Sequence, residues 1–591
     1  MLRTEIYIPV RRRDIAFGVV FSLFLILIAR FYYLQIYKYE QYNAVAEANR
    51  IRMVSSPAPR GNIVDREGKV LAANTSIYAI SVIRDELIDE DVQLNMIADY
   101  LDREKDTLRY NLKKYFQGRF LPALIARNVS IRELSLIEEH RNELPGVLST
   151  KLPIRFYPKV ENLRASHVLG YLREINSNDI KDNSKSHNYS LGDYHGYQGL
   201  EKYYEEYLRG VKGVEYRQVD ALGREVGELA NKGPILSKPG NKLILTIDSS
   251  LQAMVESLLN GFKGAAVIMN SETGEILAIA SKPDFDLTDF TAGMDSKKWR
   301  LYSADLDQPL FNRAVLGLYP PGSSIKLITA IAALQRGKVD KNWAVQCNGN
   351  YEFGDSFFGC WKEEGHGKVN LSRAIVESCN IYFYQLVQKL DIDTLAQFAR
   401  LFGFGELTGI DLPEENSGLF ADRAYMNKKY GKWGWAEGSL LHLSIGQGDV
   451  LVTPLQMASF ISTIATKGKR VQPRLIKDIE EVNSMNVSLK PSTWQTVHDM
   501  VFDVVNNVKG TAFDPHLARS KIKVFGKTGT AENPHGEPHA WFVGFAKDNK
   551  ETLSIAIVIE NGGTGGSIAA PIATTLIKSY FDINERDTPL D

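Results

Sequence analysis

The stretch Tyr319-Pro320-Pro321-Gly322-Ser323-Ser324-Ile325-Lys326, continued by Leu327-Ile328-Thr329-Ala330-Ile331-Ala332-Ala333-Leu334 and closed by Gly337, decides how the chain is read. The Pro-Pro-Gly break starts a helix, the following run is apolar almost all round, and a glycine ends it, so a buried helix is expected. Ser323 and Lys326 lie in its first turn, three apart and on one face. A serine hydroxyl becomes a strong nucleophile when a base takes its proton. A lysine held in an apolar helix is disfavoured as an ammonium by desolvation and can be that base near neutral pH. The helix N-terminus adds free N–H groups for a developing oxyanion. Taken alone, the pair is also served by an N-cap serine and a snorkelling lysine.

Two more motifs follow in order. Ser378-Cys379-Asn380 lies within Glu377 to Phe383, and Lys527-Thr528-Gly529-Thr530 follows the β-rich run Ile522 to Gly526. The series S-x-x-K, S-x-N, K-T-G resembles that of penicillin-binding proteins and active-site serine β-lactamases. The resemblance implies acyl transfer, with Ser323 as nucleophile and Lys326 as its base. Ser378 would relay a proton toward the leaving amine, Asn380 would hold the peptide amide, and Lys527 would supply positive potential. Thr528, Gly529 and Thr530 would bind the substrate carboxylate. The N–H groups of Ser323 and Thr530 would form an oxyanion hole, a device whose loss typically costs ~10²–10³ in rate.

The chain has 591 residues, 44% apolar and 24% charged, with net charge −1. That is globular composition for two or more domains, with no charge argument for a nucleic-acid partner. Arg11-Arg12-Arg13 precede an apolar run, Ile15 to Ile36, broken by Ser22, Arg30 and Gln35 among polar residues. Its length reaches about 30 Å, a bilayer core. The arginines argue for a cytoplasmic tail over 1–14, an uncleaved anchor over 15–36 and an extracytoplasmic remainder, and the resemblance implies that the membrane is a bacterial inner (cytoplasmic) one. A cleaved signal peptide would lack a suitable site here. Residues 37–236 are expected to form a non-catalytic, partner-binding pedestal, with Gln41 to Arg52 helical, a hairpin turning at Glu67-Gly68 and a strand at His167 to Leu172. Residues 237–591 are expected to be the catalytic domain, an antiparallel sheet flanked by helices, so the fold class is α+β.

Arg60-Gly61 with Asp65-Arg66 resembles the R-G-x-I-x-D-R-x-G element of class B penicillin-binding proteins, which extends the likeness from anchor to C-terminus. The Cys/His segment between the first two motifs points to the elongation type. The implied activity is a peptidoglycan D,D-transpeptidase that cross-links stem peptides and is acylated by β-lactams, with a D,D-carboxypeptidase side activity and no cofactor required for chemistry. The implied partners are a SEDS-family glycan polymerase and other elongation-complex membrane proteins. A division-type transpeptidase and a non-catalytic β-lactam sensor or scaffold are the alternatives.

All three cysteines, Cys347, Cys360 and Cys379, surround His366 in sequence. Three cysteines and one histidine are a tetrahedral zinc set, and a disulfide with one free thiol is the competing reading. Some members of the subfamily carry a metal here, with His366 and Cys379 at matching positions. His535 and His539 are expected to shape a loop, Trp541 to lie in the core, and Trp433 and Trp435 to pack.

Overall fold

The computed structural model describes residues 10–582 except 44–50, 119–120, 161, 177, 180–188, 220–224, 229–232, 292–293, 295 and 479–481. Helix α1, Val10–Tyr32, runs on into a wider turn, Tyr33–Tyr37, and is long and apolar enough to cross a membrane. It starts five residues before the expected anchor and takes in the arginine triplet. Arg30, its lone interior cation, lies 5.5 Å from the ring centre of Tyr33. The pair gives the charge an aromatic partner near the end of the apolar run.

The chain forms two compact units. The first holds Ser76–Pro153 and Val211–Pro239 with everything up to Ala58. Strand Ile51–Ser56 pairs antiparallel with Gly213–Val219, which pairs with Glu225–Glu228. The helix expected over Gln41–Arg52 is present at residues 41–43 and corrected at its end, where Ile51 and Arg52 are extended; residues 44–50 lie outside the described residues. Pairing with the partner strand outweighs local helix propensity at Ile51 and Arg52.

The second unit holds Pro59–Thr75, Ile154–Gly210 and Gly240 onward. The turn expected at Glu67-Gly68 is present, with Gly68 at φ +92. The strand expected at His167–Leu172 is instead a short helix, Ser166–Leu169, followed by strand Leu172–Glu174. The apolar run hid the helix because four residues show no period. Arg60 and Arg155 share the wholly buried carboxylate of Glu201, with Arg60 Nε 3.0 Å from Oε2 and Arg155 Nε 2.6 Å from Oε1. Such a buried cluster would be strongly destabilised by losing any one member.

The core of this unit is a five-stranded antiparallel sheet. Helix α2, Ser249–Leu258, is capped by Asp248 and packs on the sheet. The strands are β1, Gly264–Asn270; β2, Ile276–Lys282; β3, Lys523–Ala531; β4, His539–Lys547; and β5, Thr552–Ile559, in spatial order β2-β1-β5-β4-β3. Both faces are covered, so β5 is buried throughout. Helix α3, Lys326–Gln335, carries Leu327, Ile328 and Ile331, all fully buried, each stabilising by roughly 1.5–3 kcal/mol. That burial offsets the cost of placing Lys326 in the same helix. Helices α4, Leu371–Val376, and α5, Asn380–Val387, flank the second motif, and α6, Gly438–Ser444, leads to Gly446.

Candidate active site

The turn of the first motif is made by backbone approach. Gly322–Ile325 is a 3-10 turn that feeds directly into α3. Gly322 has φ +54, and a Cβ there would sit 2.6 Å from the carbonyl oxygen of Thr530. Its N–H donates to the Gly446 carbonyl at 3.0 Å. Only glycine lets the turn lie this close to both β3 and the segment after α6. The first motif therefore meets the third through main chain, with Ser323 half-buried beside it.

Lys326 is fully buried and donates three hydrogen bonds: to the Ser378 carbonyl at 2.8 Å, the Asn380 Oδ1 at 2.6 Å and the Ser378 Oγ at 3.3 Å. An ammonium has three protons, so all are used. Burial lowers its pKa to about 8. At pH 7 about a tenth is then the free amine, against about three in ten thousand at the usual lysine value. Among the described residues no hydrogen bond joins Ser323 Oγ to Lys326; the amine must shed a proton before it can take one.

Lys527, on β3, is also fully buried and donates to Ser378 Oγ at 3.1 Å and to the Thr528 carbonyl at 2.9 Å. Burial, and then the neighbouring Lys326, push its pKa well below the ordinary value. Two ammoniums on one hydroxyl repel, so the pair favours holding a single charge, and Ser378 Oγ lies between the two donors. Ser378 itself has φ +56, a left-handed conformation that costs a non-glycine residue on the order of 1–3 kcal/mol. It sits at the break between α4 and α5, and the strained backbone turns its carbonyl and its hydroxyl to the same lysine.

Asn380 opens α5 and its Nδ2 donates to the Gly359 carbonyl at 3.3 Å. Thr528 shares a 2.6 Å hydrogen bond with Thr511, a partner no motif announces. Gly529 is held tight against the Pro321 carbonyl and Ser324 Oγ, where a Cβ would be 2.8 Å from each. Thr530 accepts from the Gly565 N–H at 3.4 Å.

Cys347, Cys360, His366 and Cys379 converge: their ligand atoms all lie within 4.8 Å of one another, and all four residues are buried. The three cysteines are free thiols. His366 Nδ1 is 3.5 Å from the Sγ atoms of both Cys347 and Cys360, while its Nε2 is buried without a partner. A hydrogen bond from Cys379 lowers the Cys360 thiol, and the same contact raises Cys379, so this pair favours one thiolate. The Asn380 N–H donates to Cys360 Sγ at 3.4 Å, which ties the cluster to the second motif.

Among the other named residues, Trp541 is fully buried and its Nε1 donates to the Pro320 carbonyl at 3.0 Å. His539 opens β4, where its Nδ1 accepts from the Asn561 N–H, so the loop expected there is corrected to a strand end; the His535 N–H donates to Asn533 within a loop, as expected. Trp435 is partly buried and bonds Asn427, but Trp433 is 90% exposed, so the packing expected of it is corrected. Gly431, two residues before it, has φ +85 and ends the preceding helix.

Comparison with known proteins bears on this geometry. Residues 264–578 match the penicillin binding protein transpeptidase domain, and residues 55–245 match the penicillin-binding protein dimerisation domain. The chain is 33% identical to the peptidoglycan D,D-transpeptidase MrdA of Acinetobacter baumannii, over 96% of this chain and 86% of that one. It is 30% identical to MrdA of Escherichia coli K12, over 98% and 96%. Among solved structures, PBP2 of Helicobacter pylori in complex with MreC aligns with TM-score 0.79 and 30% identity, covering 90% of this chain and all of that one. A peptidoglycan synthase complex that coordinates polymerization and crosslinking aligns with TM-score 0.71 and 30% identity, covering 97% and 99%.

Proposed function

We propose that this chain, which belongs to the penicillin-binding proteins of the peptidoglycan D,D-transpeptidase kind, cross-links stem peptides through an acyl-enzyme on Ser323. It is an elongation-type enzyme with a transpeptidase domain, a dimerisation-type pedestal and one apolar N-terminal helix. The observation that carries the residue assignment is the convergence of Lys326 and Lys527 on Ser378 Oγ, at 3.3 and 3.1 Å.

In the reaction, neutral Lys326 takes the proton of Ser323, whose Oγ attacks the carbonyl carbon of the penultimate D-Ala. The N–H groups of Ser323 and Thr530 stabilise the oxyanion. Ser378 passes a proton to the departing D-Ala amine and regains one from a lysine neighbour. Asn380 holds the peptide amide, and Thr528 and Thr530 hold the terminal carboxylate beside Gly529. An amine of a neighbouring stem then attacks the ester and frees Ser323; water in its place gives the carboxypeptidase reaction. A β-lactam acylates the same hydroxyl.

The Cys347, Cys360, His366 and Cys379 set fits a tetrahedral structural zinc: three soft thiolates and one imidazole, buried and close. Bound there, the ion would fix Cys379 between Ser378 and Asn380; it takes no part in the acyl transfer. The pedestal over 37–236, the catalytic domain from 237, the cytoplasmic tail, the inner-membrane anchor and an extracytoplasmic active site belong to the same proposal. So do a SEDS-family polymerase and other membrane proteins of the elongation complex as partners. Labelling with a fluorescent penicillin tests the assignment: the wild type should label and Ser323→Ala should not. Absence of wild-type labelling would remove the enzymatic reading.

A further inference from the structure

One half-buried carboxylate beside the nucleophile turn has no role in the chemistry above. Glu560 follows β5, and a row of paired residues, Thr530, Ala540 and Ile559, runs across the sheet from the third motif to its doorstep. A single oxygen, Oε1, accepts the Tyr319 hydroxyl at 2.7 Å and the Arg313 Nε–H at 2.8 Å. Tyr319 and Arg313 are both buried, and Arg313 spends its other nitrogens on the Asp307 and Gln308 carbonyls. Tyr319 begins the segment that ends at Ser323. Its ring stands edge-on to His539 and Trp541, and its phenol is kept protonated, and so a donor, by burial and by Glu560.

We propose that Glu560 is a positioning residue for Ser323, holding the nucleophile turn in register with β3 through Tyr319. The turn is pinned at three further points: Tyr319 pairs with Val452 through both main-chain bonds, Pro320 accepts from Trp541, and Gly322 donates to Gly446. Of these anchors, only the Glu560 bond is a side-chain contact to a charged group, with a guanidinium on the same oxygen that fixes the carboxylate. Backbone bonds hold the segment in the fold; the charged anchor sets where along β3 it rests. A shift of about 1 Å in a reacting atom can cost on the order of 10² in rate, so a small slack at Tyr319 is enough to be read kinetically.

The inference rests on Ser323 being the nucleophile. The test uses the full-length enzyme in detergent and a chromogenic cephalosporin. It separates the acylation rate constant from the dissociation constant of the non-covalent complex, normalises by active-site titration and records the melting temperature. Glu560→Ala and Tyr319→Phe should each lower the acylation constant, the former about tenfold or more, with the dissociation constant unchanged. The double variant should be no worse than Glu560→Ala, because both remove one link. Glu560→Gln, which keeps an acceptor oxygen for the phenol but loses the charge that Arg313 fixes, should fall between Glu560→Ala and the wild type. A merely structural residue would lower the melting temperature and leave the constant of the titrated enzyme alone, which overturns the proposal. A double variant that falls by the product of the two single effects overturns it as well. A wild type that is not acylated at all would instead mark failure of the Ser323 assignment.

Discussion

Lys326 sets the pH behaviour. Its pKa is lowered to about 8, and in the proposed mechanism the amine, not the ammonium, takes the serine proton. The reactive fraction therefore grows as pH rises through about 8 and shrinks below it, tenfold per unit well under the midpoint. Acylation of purified enzyme by a β-lactam should follow that titration between pH 6 and 9; a flat profile would contradict Lys326 as the base. Ser378 allows a cleaner dissection. Glycine relieves its left-handed backbone but removes the hydroxyl between the two lysines. Ser378→Gly should keep or slightly raise the melting temperature while turnover falls by about 10² or more, the usual range for losing a proton-transfer group. Retained turnover would show that the hydroxyl is not a relay. The convergence of Lys326, Ser378, Asn380 and Lys527 could be anticipated because the proposed chemistry ties residue types to short spacings. The positive φ of Ser378 could not, because nothing local demands it: α4, α5 and the two lysines impose it from outside.

At the scale of elements, the site depends on how close three segments come. Gly322→Ala would put a Cβ 2.6 Å from the Thr530 oxygen at a φ of +54, so the turn must back away from β3. The expected result is a fall in acylation rate on the order of 10², measured on correctly folded protein by active-site titration. A rate near wild type would mean that this approach is not needed. The Cys/His cluster carries a second prediction: metal analysis should find about one zinc per chain, and Cys360→Ser should lower zinc content and melting temperature together. A Cys347–Cys360 disulfide in metal-free protein would overturn the zinc. Helices with long apolar runs, such as α3 behind the Pro-Pro-Gly break, were readable from local sequence alone. Short elements were not: Ser166–Leu169 and Ile51–Ser56 take their form from neighbours far away in the chain.

At the scale of the whole molecule, two compact units follow one apolar helix. Sequence patterning puts a boundary between residues 236 and 237. Residues 59–75 and 154–210, however, cluster with the C-terminal unit, a distribution that chain order hides because contacts such as Arg60 with Glu201 span 141 residues. Removing residues 1–37 should release the protein from membranes into the soluble fraction while Ser323 still labels with a fluorescent penicillin. Retention in the membrane fraction would show a second attachment. The most direct test of the central claim is peptide mapping by mass spectrometry after reaction with a β-lactam. The account predicts one covalent adduct, on the peptide that carries Ser323, absent from Ser323→Ala; an adduct on any other residue, or none on the wild type, would contradict it.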